Sequence, residues 1–422
     1  MSARHQPIPA RFLPPQRGPA DRTGPPRDLI YQPPFPSSLP DDPPVFASSI
    51  ALRLPLDMSP HATTKGVHIN GTNGVHSVNG VNGTSSASRP LTPGIYAPIP
   101  TFFQPDTEDL DIESFTTHVV RVAKAGVGPL LAGSMGEAHH LTRAERVTLI
   151  QAARRALNDA GLRDVPIIAG TGAGSTRETV ELCKEAAQAG ADLAIVIASG
   201  YYAGAIAGNK KALKAFWAEV SENSPIPVII YNYPGASGGI DLDSDLITEL
   251  AIECPNLAGV KLTCGNVGKL TRICATVSDP SFASLYPRLN PNAPFLVLGG
   301  FIDFLLPSTY VNAHGAITGL ANVAPYTIQR LYQLSEATRT NPSLLPEAQR
   351  LQGIVARADF TIAKASISGT KALLEKLYGY GGNPRKPLPP IEPEAVAALW
   401  EHPHTQDIVR IERELSGKAA AA

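Results

Sequence analysis

Hydrophobic and polar positions recur in a fixed order along most of the chain, beginning at Gly94. A short apolar run followed by an amphipathic stretch occurs eight times, and a run that is apolar at nearly every position is typical of a strand buried on both faces. Strands of this kind that are separated by helices indicate a parallel sheet. The predicted strands are IYAPIPTFF (95–103), GPLLAGS (128–134), VPIIAGT (165–171), LAIVIAS (193–199), PVIIYNY (227–233), LAGVKLT (257–263), FLVLGG (295–300) and GAITGLA (315–321).

The stretches between these strands have the period and the end signals of helices. Thr142 with Glu145, and Ser175 with Glu178, have the spacing of a capping box at a helix start. Several helical stretches end in Ala-Gly just before the next strand, and glycine commonly terminates a helix. Eight strand–helix units over about 230 residues fit a closed (β/α)8 barrel better than an open doubly wound sheet.

The regions outside this repeat differ in composition. Residues 1–92 are rich in Pro and Arg and then in Gly, Asn and Val, so we predict a disordered extension; a transit peptide is the less favoured alternative, and Met58 is a possible second start. We assign residues 93–340 to the barrel and 341–384 to a helical extension that packs on the barrel or on a neighbouring subunit. Residues 385–422 are predicted to be a tail with a short helix.

Charge and cysteine usage exclude several classes of protein. The chain has 36 Lys and Arg against 37 Asp and Glu, a formal net charge of −1, so we expect no binding to nucleic acid or to an anionic membrane surface. No apolar run approaches the length of a membrane span. The four cysteines form no CxxC pair, and we interpret them as reduced thiols of a cytoplasmic protein, with the mitochondrion as the less favoured compartment.

A lysine stands inside one of the predicted strands. In barrels of this type the catalytic groups lie at the carboxyl ends of the strands and in the loops that follow. Lys261, in GVKLTCG, is near the end of the sixth strand between Val260 and Leu262. Burial favours the neutral amine, which is the form that attacks a ketone. The alternative is a lysine whose ammonium reaches the barrel rim, and position alone does not decide between the two.

Two further polar features stand at strand ends. Tyr231, in IIYNYP, ends the fifth strand, so its phenol is expected near Lys261, where it can move protons; the alternative is a rim tyrosine bonded to backbone. Residues 133–137, GSMGE, end the second strand, and two glycines allow a tight turn whose N–H groups can bind a carboxylate. Ser134 can pass a proton to Tyr231, and Glu137 can hold the turn by accepting backbone hydrogen bonds. As a bare pattern, GSxGE is a weak signal.

Taken together, GSMGE (133–137), YNYP (231–234) and GVK (259–261) resemble the marks of the dihydrodipicolinate synthase / N-acetylneuraminate lyase family of pyruvate-dependent class I aldolases. The three motifs stand in the family's order with family-like spacing, and the resemblance covers roughly 94–380. It implies that Lys261 forms a Schiff base with a 2-oxo acid of the pyruvate type. It also implies that Tyr231 is a proton shuttle and carboxylate ligand and that Ser134 is a relay.

The resemblance extends to further positions around the expected site. Tyr202, in SGYYAG, matches a tyrosine that family members lend to an adjacent subunit, which implies a homodimer or homotetramer. Ile317, in GAITGLAN, matches a residue that lines the pocket beside the ketimine. The candidate substrate-binding residues are Gly133, Met135, Gly136, Ala236, Thr263, Gly299, Phe301 and Ile317.

Within the family, the stretches STRETVELCKEAA, SPIPVIIYNYPG, GVKLTCGNVGKL and YGYGG most resemble fungal aldolases of 2-keto-3-deoxy sugar acids. Those enzymes cleave L-threo-3-deoxy-hexulosonate to pyruvate and L-glyceraldehyde, and the resemblance implies the same reaction here. The alternatives are 4-hydroxy-2-oxoglutarate aldolase, then dihydrodipicolinate synthase, and then a barrel that has lost catalysis. We predict no metal and no organic cofactor, because the adjacent His139 and His140 point in different directions and no carboxylate cluster supports them.

Three departures from the family pattern concern the aldehyde half of the substrate. Dihydrodipicolinate synthases place an arginine two residues after the proline of YNxP, whereas this chain has Ala236, so a neutral aldehyde is expected. Met135 and Phe301 stand where smaller or more polar residues are usual. Both make the pocket more apolar and allow a bulkier aldehyde.

Overall fold

The computed structural model describes residues 89–291 and 293–421. Eight strands pair in parallel in chain order, and β8 pairs with β1, so the sheet closes on itself. The predicted (β/α)8 barrel is confirmed. The strands are β1 (Gly94–Pro98), β2 (Gly128–Leu131), β3 (Ile168–Gly170), β4 (Leu193–Ile197), β5 (Val228–Asn232), β6 (Leu257–Leu262), β7 (Leu296–Gly299) and β8 (Gly315–Ile317).

Helices follow every strand of the barrel and continue after it. They are α1 (Ile112–Lys124), α2 (Arg143–Asp159), α3 (Thr176–Ala189), α4 (Ala203–Ile206), α5 (Lys210–Asn223), α6 (Ser244–Glu253), α7 (Val267–Val277), α8 (Phe282–Leu285), α9 (Leu305–Thr309), α10 (Leu320–Val323), α11 (Pro325–Thr338), α12 (Leu345–Ala363), α13 (Ser366–Tyr378), α14 (Pro393–Glu401) and α15 (Pro403–Ala421).

The predicted helix starts and strand positions agree with this structure, but the strand ends do not. Thr142 and Glu145 form a complete capping box at α2, and the Ser175 side chain accepts the Glu178 N–H at α3. Each predicted apolar run overlaps one strand, yet all eight strands end earlier than predicted. Phe102, which follows β1, is 1% exposed although it makes no strand ladder. Apolar sequence therefore continues into the loops that are buried at the barrel mouth.

Side chains alternate between two apolar layers along each strand. In β5, Val228 and Ile230 belong to the layer between strands and helices, whereas Ile229 and Tyr231 belong to the cluster inside the barrel. In β6, Val260 and Leu262 face the helices. Because successive residues of a strand point to opposite faces, Lys261 faces the interior.

The helices after the barrel pack on the barrel itself. Helices α12 and α15 pack against α11, and α13 packs against α10, so one apolar core joins them to β1 and β2. The tail carries two helices, and α15 is longer than the short helix expected from the sequence. The Glu412 carboxylate on α15 accepts the N–H groups of Tyr326 and Thr327 at the start of α11, 3.2 and 2.8 Å away. A negative charge near a helix N-terminus interacts favourably with the helix dipole, so this contact stabilises the packing of α15 on α11.

Some expectations fall outside the described residues. The predicted disorder of 1–92 concerns mainly residues 1–88, and Met58 lies there too. Within the described part of the chain, none of the helices combines the length and the apolar character that a membrane crossing requires.

Helix α12 holds the loop between β7 and α9, which lies at the barrel mouth. The Gln352 side chain accepts the Leu306 N–H at 2.8 Å and donates to the Ile302 carbonyl at 2.9 Å. The buried Asp359 carboxylate accepts the Ile302 N–H at 3.3 Å. Burial, together with the neighbouring Asp303 carboxylate, raises the pKa of Asp359 to about 7.

This raised pKa predicts a pH-dependent stability. The ordinary pKa of Asp is 3.8, so the folded protein binds a proton that the unfolded chain releases between pH 3.8 and about 7. Stability conferred by the protonated Asp359 is therefore lost as the pH rises through that window. We expect Asp359→Asn, which keeps an oxygen for the Ile302 N–H, to have a higher Tm than the wild type, with the difference growing up to pH 7. Thermal unfolding across this range measures it, and a pH-independent difference would contradict the assignment.

Candidate active site

Lys261 and Tyr231 lie side by side inside the barrel. Tyr231 and Lys261 are register partners in the pairing of β5 with β6. The Lys261 Nζ lies over the Tyr231 ring, 4.2 Å from its centroid, and Lys261 is only 4% exposed. A cation in this position is stabilised by the ring face. Lys261 has no hydrogen bond or ion pair with any residue that the structure describes, so its amine is free to react.

Tyr231 is supported by a second tyrosine on the same strand edge. The Tyr233 ring stacks on the Tyr231 ring, with 5.7 Å between centroids. Burial raises the pKa of Tyr233, and the neighbouring Tyr231 adds to that effect. Tyr233 therefore stays neutral at physiological pH and fixes the plane of the Tyr231 ring.

The 133–137 turn has a strained backbone that packing holds in place. Ala132 and Glu137 have φ values of +50° and +56°, which cost non-glycine residues roughly 1–3 kcal/mol each. A Cβ at Gly136 would stand 2.8 Å from the Ile99 carbonyl oxygen, so only glycine fits there. The Thr101 hydroxyl donates to the Gly136 carbonyl at 2.7 Å. Strain that the surroundings enforce in this way is typical of functional sites.

Glu137 anchors the turn to the chain that follows the barrel. Its Oε1 accepts the Lys371 Nζ of α13 at 2.6 Å, and both side chains are fully buried. Its Oε2 accepts the Arg385 N–H at 2.8 Å. Lys371 also donates to the Asn383 carbonyl at 3.1 Å. Glu137 thus accepts a backbone hydrogen bond as expected, but from residue 385 and not from its own turn.

Arg385 adds a further attachment between the same two regions. Its guanidinium donates to the carbonyls of Glu108 and His140 and pairs with the Glu145 carboxylate on α2. These hydrogen bonds from Arg385 lower the pKa of Glu145 to about 2. The Arg385 guanidinium also lies over the Phe103 ring, 4.3 Å from its centroid. The segment around Arg385 is therefore fixed against the barrel mouth.

A cavity of about 200 Å³ opens at the carboxyl ends of the strands. Four of the predicted catalytic and substrate-binding residues line it together: Gly133, Ser134, Tyr231 and Ala236. Lys261 does not line the cavity itself; its Nζ lies over the ring of Tyr231, which does. The remaining lining residues are Ala132, Glu137, Ala138, His139, His140, Gly170, Gly172, Ile195, Ile197, Ile367 and Leu388.

Other predicted binding residues lie around this cavity without lining it. Ile317 is fully buried in the interior cluster that contains Tyr231. The Met135 methyl group reaches the loop after β8, 3.4 Å from where a Cβ of Gly319 would stand.

The predicted binding residues in and beside the loop after β7 do not line the cavity. Thr263 packs so closely on this loop that a Cβ at Gly300 would stand 2.1 Å from its Oγ1. That hydroxyl is buried without a hydrogen-bond partner among the described residues. Gly299 ends β7, and a Cβ there would lie 3.1 Å from the Phe301 carbonyl oxygen. Phe301 itself is half-buried and does not line the cavity.

Comparison with known proteins identifies the family. The Dihydrodipicolinate synthetase family matches residues 92–402. The chain belongs to this family. It is 44% identical to an L-threo-3-deoxy-hexylosonate aldolase of Aspergillus niger over 77% of this chain and 98% of that protein. It is 42% identical to a protein of Emericella nidulans named as a mitochondrial 4-hydroxy-2-oxoglutarate aldolase, over 79% of this chain and all of that protein.

A solved structure agrees with these relatives. A dihydrodipicolinate synthase family protein from Coccidioides immitis superposes with a TM-score of 0.64 and 36% sequence identity, over 78% of this chain and 99% of that one. The predicted family and the predicted class of enzyme, a carbon–carbon lyase of the aldolase type, are confirmed. The roles of individual residues stay predictions.

Tyr202 stands apart from the cavity of its own chain. It is 61% exposed, its ring meets that of Tyr201 edge-on at 5.0 Å, and it lines a separate depression with Ser175 and Phe216. A role for Tyr202 in the site of this same barrel has no support in its position. Its exposure leaves it free to meet a second subunit.

Apolar residues also line the cavity, and they were not among the predicted site residues. Ile195 and Ile197 of β4 are two residues apart and face inward, and their alternation along the strand is the signal that could have identified them. Ile367 and Leu388 come from the chain after the barrel, and no local signal connects them with the site.

Of the two histidines at the cavity, one is paired with a carboxylate. The His140 Nδ1 lies 3.0 Å from the Glu137 carboxylate, while His139 is exposed toward the cavity. Across residues 89–291 and 293–421, no group of three His, Cys, Asp or Glu side chains has the arrangement of a metal site.

We expect that breaking the Glu137–Lys371 pair strongly lowers the free energy of unfolding. Lys371→Met leaves the buried Glu137 carboxylate without its cation, and breaking a buried pair in this way costs roughly 3–5 kcal/mol. Urea unfolding measures the free energy of unfolding. The control is Lys184→Met, which breaks the exposed pair with Glu181 and should change little. Equal stability of the two variants would contradict the central role of the buried pair.

Proposed function

We propose that this protein cleaves a 3-deoxy-2-oxo sugar acid of the L-threo-3-deoxy-hexulosonate type to pyruvate and a neutral aldehyde, with Lys261 as the nucleophile. The observation that carries the proposal is the position of the Lys261 Nζ, over the Tyr231 ring and without a competing partner in the described chain. The family and the 44% identity to the Aspergillus niger aldolase support it.

The first half of the reaction forms the covalent intermediate. The neutral Lys261 amine attacks C2 of the substrate, and the carbonyl oxygen takes up a proton to give a carbinolamine. Tyr231, with Ser134 as relay, delivers a second proton to that hydroxyl, which leaves as water. The product is a protonated ketimine. The N–H groups of the 133–137 turn hold the substrate carboxylate, so the iminium is aligned with the bond that breaks.

The second half breaks the carbon–carbon bond. Tyr231 accepts the proton of the C4 hydroxyl as the C3–C4 electron pair moves toward the iminium, and the aldehyde leaves. The remaining enamine takes up a proton at C3. Water then adds to the iminium carbon, and collapse of the carbinolamine releases pyruvate and restores the Lys261 amine. No electron acceptor is needed, because substrate and products have the same overall oxidation level.

The lining of the cavity supports a neutral aldehyde. Ala236 faces the cavity where a cation would be needed for a second carboxylate, and the lining residues include no arginine or lysine. A buried carboxylate without a cation is costly. This favours glyceraldehyde over glyoxylate, the aldehyde that 4-hydroxy-2-oxoglutarate would release.

Assembly and compartment belong to the same proposal. Exposed Tyr202 supports a homodimer or homotetramer in which this residue completes a neighbouring site.

The sequence favours the cytoplasm, whereas the Emericella nidulans relative carries the word mitochondrial in its name. Imaging of the full chain with a C-terminal fluorescent tag distinguishes the two compartments.

Borohydride trapping tests the nucleophile. Reduction in the presence of pyruvate should add the pyruvate skeleton to Lys261 alone. Lys269 is an internal control, since it is also buried, at 3% exposed, but is paired with Asp241. We expect Lys261→Arg to lower kcat by about a thousandfold or more, because the covalent route is lost. Modification of another lysine, or full activity of Lys261→Arg, would contradict the mechanism.

Substitution of Ala236 tests the choice of aldehyde. Ala236→Arg places a guanidinium where a second carboxylate would bind, so we expect kcat/KM for 4-hydroxy-2-oxoglutarate to rise about tenfold or more relative to the sugar acid. Pyruvate release from both substrates is the measurement. Ala236→Gln is the control for side-chain size without charge. If the wild type already prefers 4-hydroxy-2-oxoglutarate, the proposed substrate is wrong and the second aldolase activity is favoured.

A further inference from the structure

Two apolar residues from beyond the barrel line the candidate active-site cavity. Ile367 lies in the first turn of α13, and Leu388 lies in the segment after it; both are half-buried and line the cavity together with the strand residues Ile195 and Ile197. They are separated by 21 positions in the sequence, but the Ser368 hydroxyl donates to the Pro389 carbonyl at 2.8 Å. This hydrogen bond joins the immediate neighbours of the two side chains.

The segment that carries Leu388 has a fixed position. The Leu388 N–H donates to the Arg385 carbonyl at 3.1 Å, and the Arg385 N–H donates to Glu137 at 2.8 Å. Lys371, one turn after Ile367 on α13, pairs with the same carboxylate. Residues at i and i+4 share a helix face, so Lys371 orients Ile367 toward the cavity. Ile367 and Leu388 are therefore both attached, through Lys371 and Arg385, to Glu137 in the 133–137 turn.

Leu388 also borders a second cavity. This space, of about 130 Å³, is lined by Phe103, Gln104, Pro105 and Asn383 among others, and Leu388 is the residue that it shares with the active-site cavity. Leu388 therefore borders both spaces, and we expect a shorter side chain at this position to join them.

The geometry points to Leu388 and Ile367 as the residues that determine how long an aldehyde the enzyme accepts. This inference rests on the proposed function. The wall they form is apolar, so the part of an aldehyde beyond its carbonyl group is selected by length and not by charge. In the synthetic direction, C3 of the pyruvate enamine bonds to the aldehyde carbon, the aldehyde oxygen takes a proton, and hydrolysis frees Lys261. The chain of the aldehyde then extends toward Leu388.

Aldol addition of pyruvate to straight-chain aldehydes tests this inference. We expect wild-type kcat/KM to fall sharply between propanal and octanal. Leu388→Ala should raise the ratio of kcat/KM for octanal to kcat/KM for propanal by about tenfold or more. The reason is that each additional methylene group that fits the cavity changes kcat/KM by roughly that factor. Leu388→Phe should lower the ratio, and Ile367→Ala should raise it less than Leu388→Ala does, since Ile367 does not border the second cavity.

The matched control is Ile391→Ala. Ile391 follows in the same segment and is half-buried, but it packs against the apolar core and lines neither cavity. Ile391→Ala removes as many carbon atoms as Leu388→Ala. A general loosening of the segment would therefore change the octanal-to-propanal ratio of kcat/KM equally in the two variants. We expect the Ile391→Ala ratio to stay within about twofold of the wild type.

Trapping of pyruvate by borohydride, done on every variant, separates this inference from the proposed function. Absence of trapping in the wild type would contradict the proposed function. Normal trapping together with an unchanged ratio in Leu388→Ala, and in the oppositely directed Leu388→Phe, would overturn the role of Leu388. Equal shifts in Leu388→Ala and Ile391→Ala would overturn it as well.

Discussion

Closure of eight parallel strands into a barrel gives every strand one face toward the interior and one toward the helices. The pairing of β5 with β6 then makes Tyr231 and Lys261 neighbours on the inner face. A lysine in this position is surrounded by apolar side chains and an aromatic ring, and it has no carboxylate beside it in the described chain. Among the described residues, no hydrogen-bond or ion-pair partner competes for the Lys261 amine, which is the condition that the proposed attack on a carbonyl carbon requires.

The second organising feature is the buried ion pair between Glu137 and Lys371. Such a pair adds little net stability compared with apolar residues of the same shape, but its charges are satisfied in only one arrangement. Here that arrangement joins the strained turn after β2 to α13 and to the segment around Arg385. The chain after the barrel thereby contributes Ile367 and Leu388 to the lining of the cavity, and its position there depends on the same anchor as the turn after β2.

The site could be predicted from the sequence where its residues stand in short motifs at strand ends. Gly133, Ser134, Tyr231 and Ala236 meet at one cavity, as expected from the carboxyl ends of the strands. Glu137 was expected to hold the turn, and it does so through residues more than 230 positions later in the chain. Ile367 and Leu388 could not be found, since an apolar residue on a helix or in a loop has the same appearance whether it faces the core or a substrate.

The sequence alone determined the architecture, because the strand–helix repeat and the capping residues are local properties of a short stretch of chain. It also determined that Lys261 and Tyr231 are neighbours, since a lysine within an apolar strand and a tyrosine at the end of the preceding strand have fixed places in a closed barrel. Only the tertiary structure decided where the strands stop, which face of α13 is turned to the cavity, and what lies behind Leu388. These features depend on contacts between residues far apart in the chain, and no periodicity records such contacts.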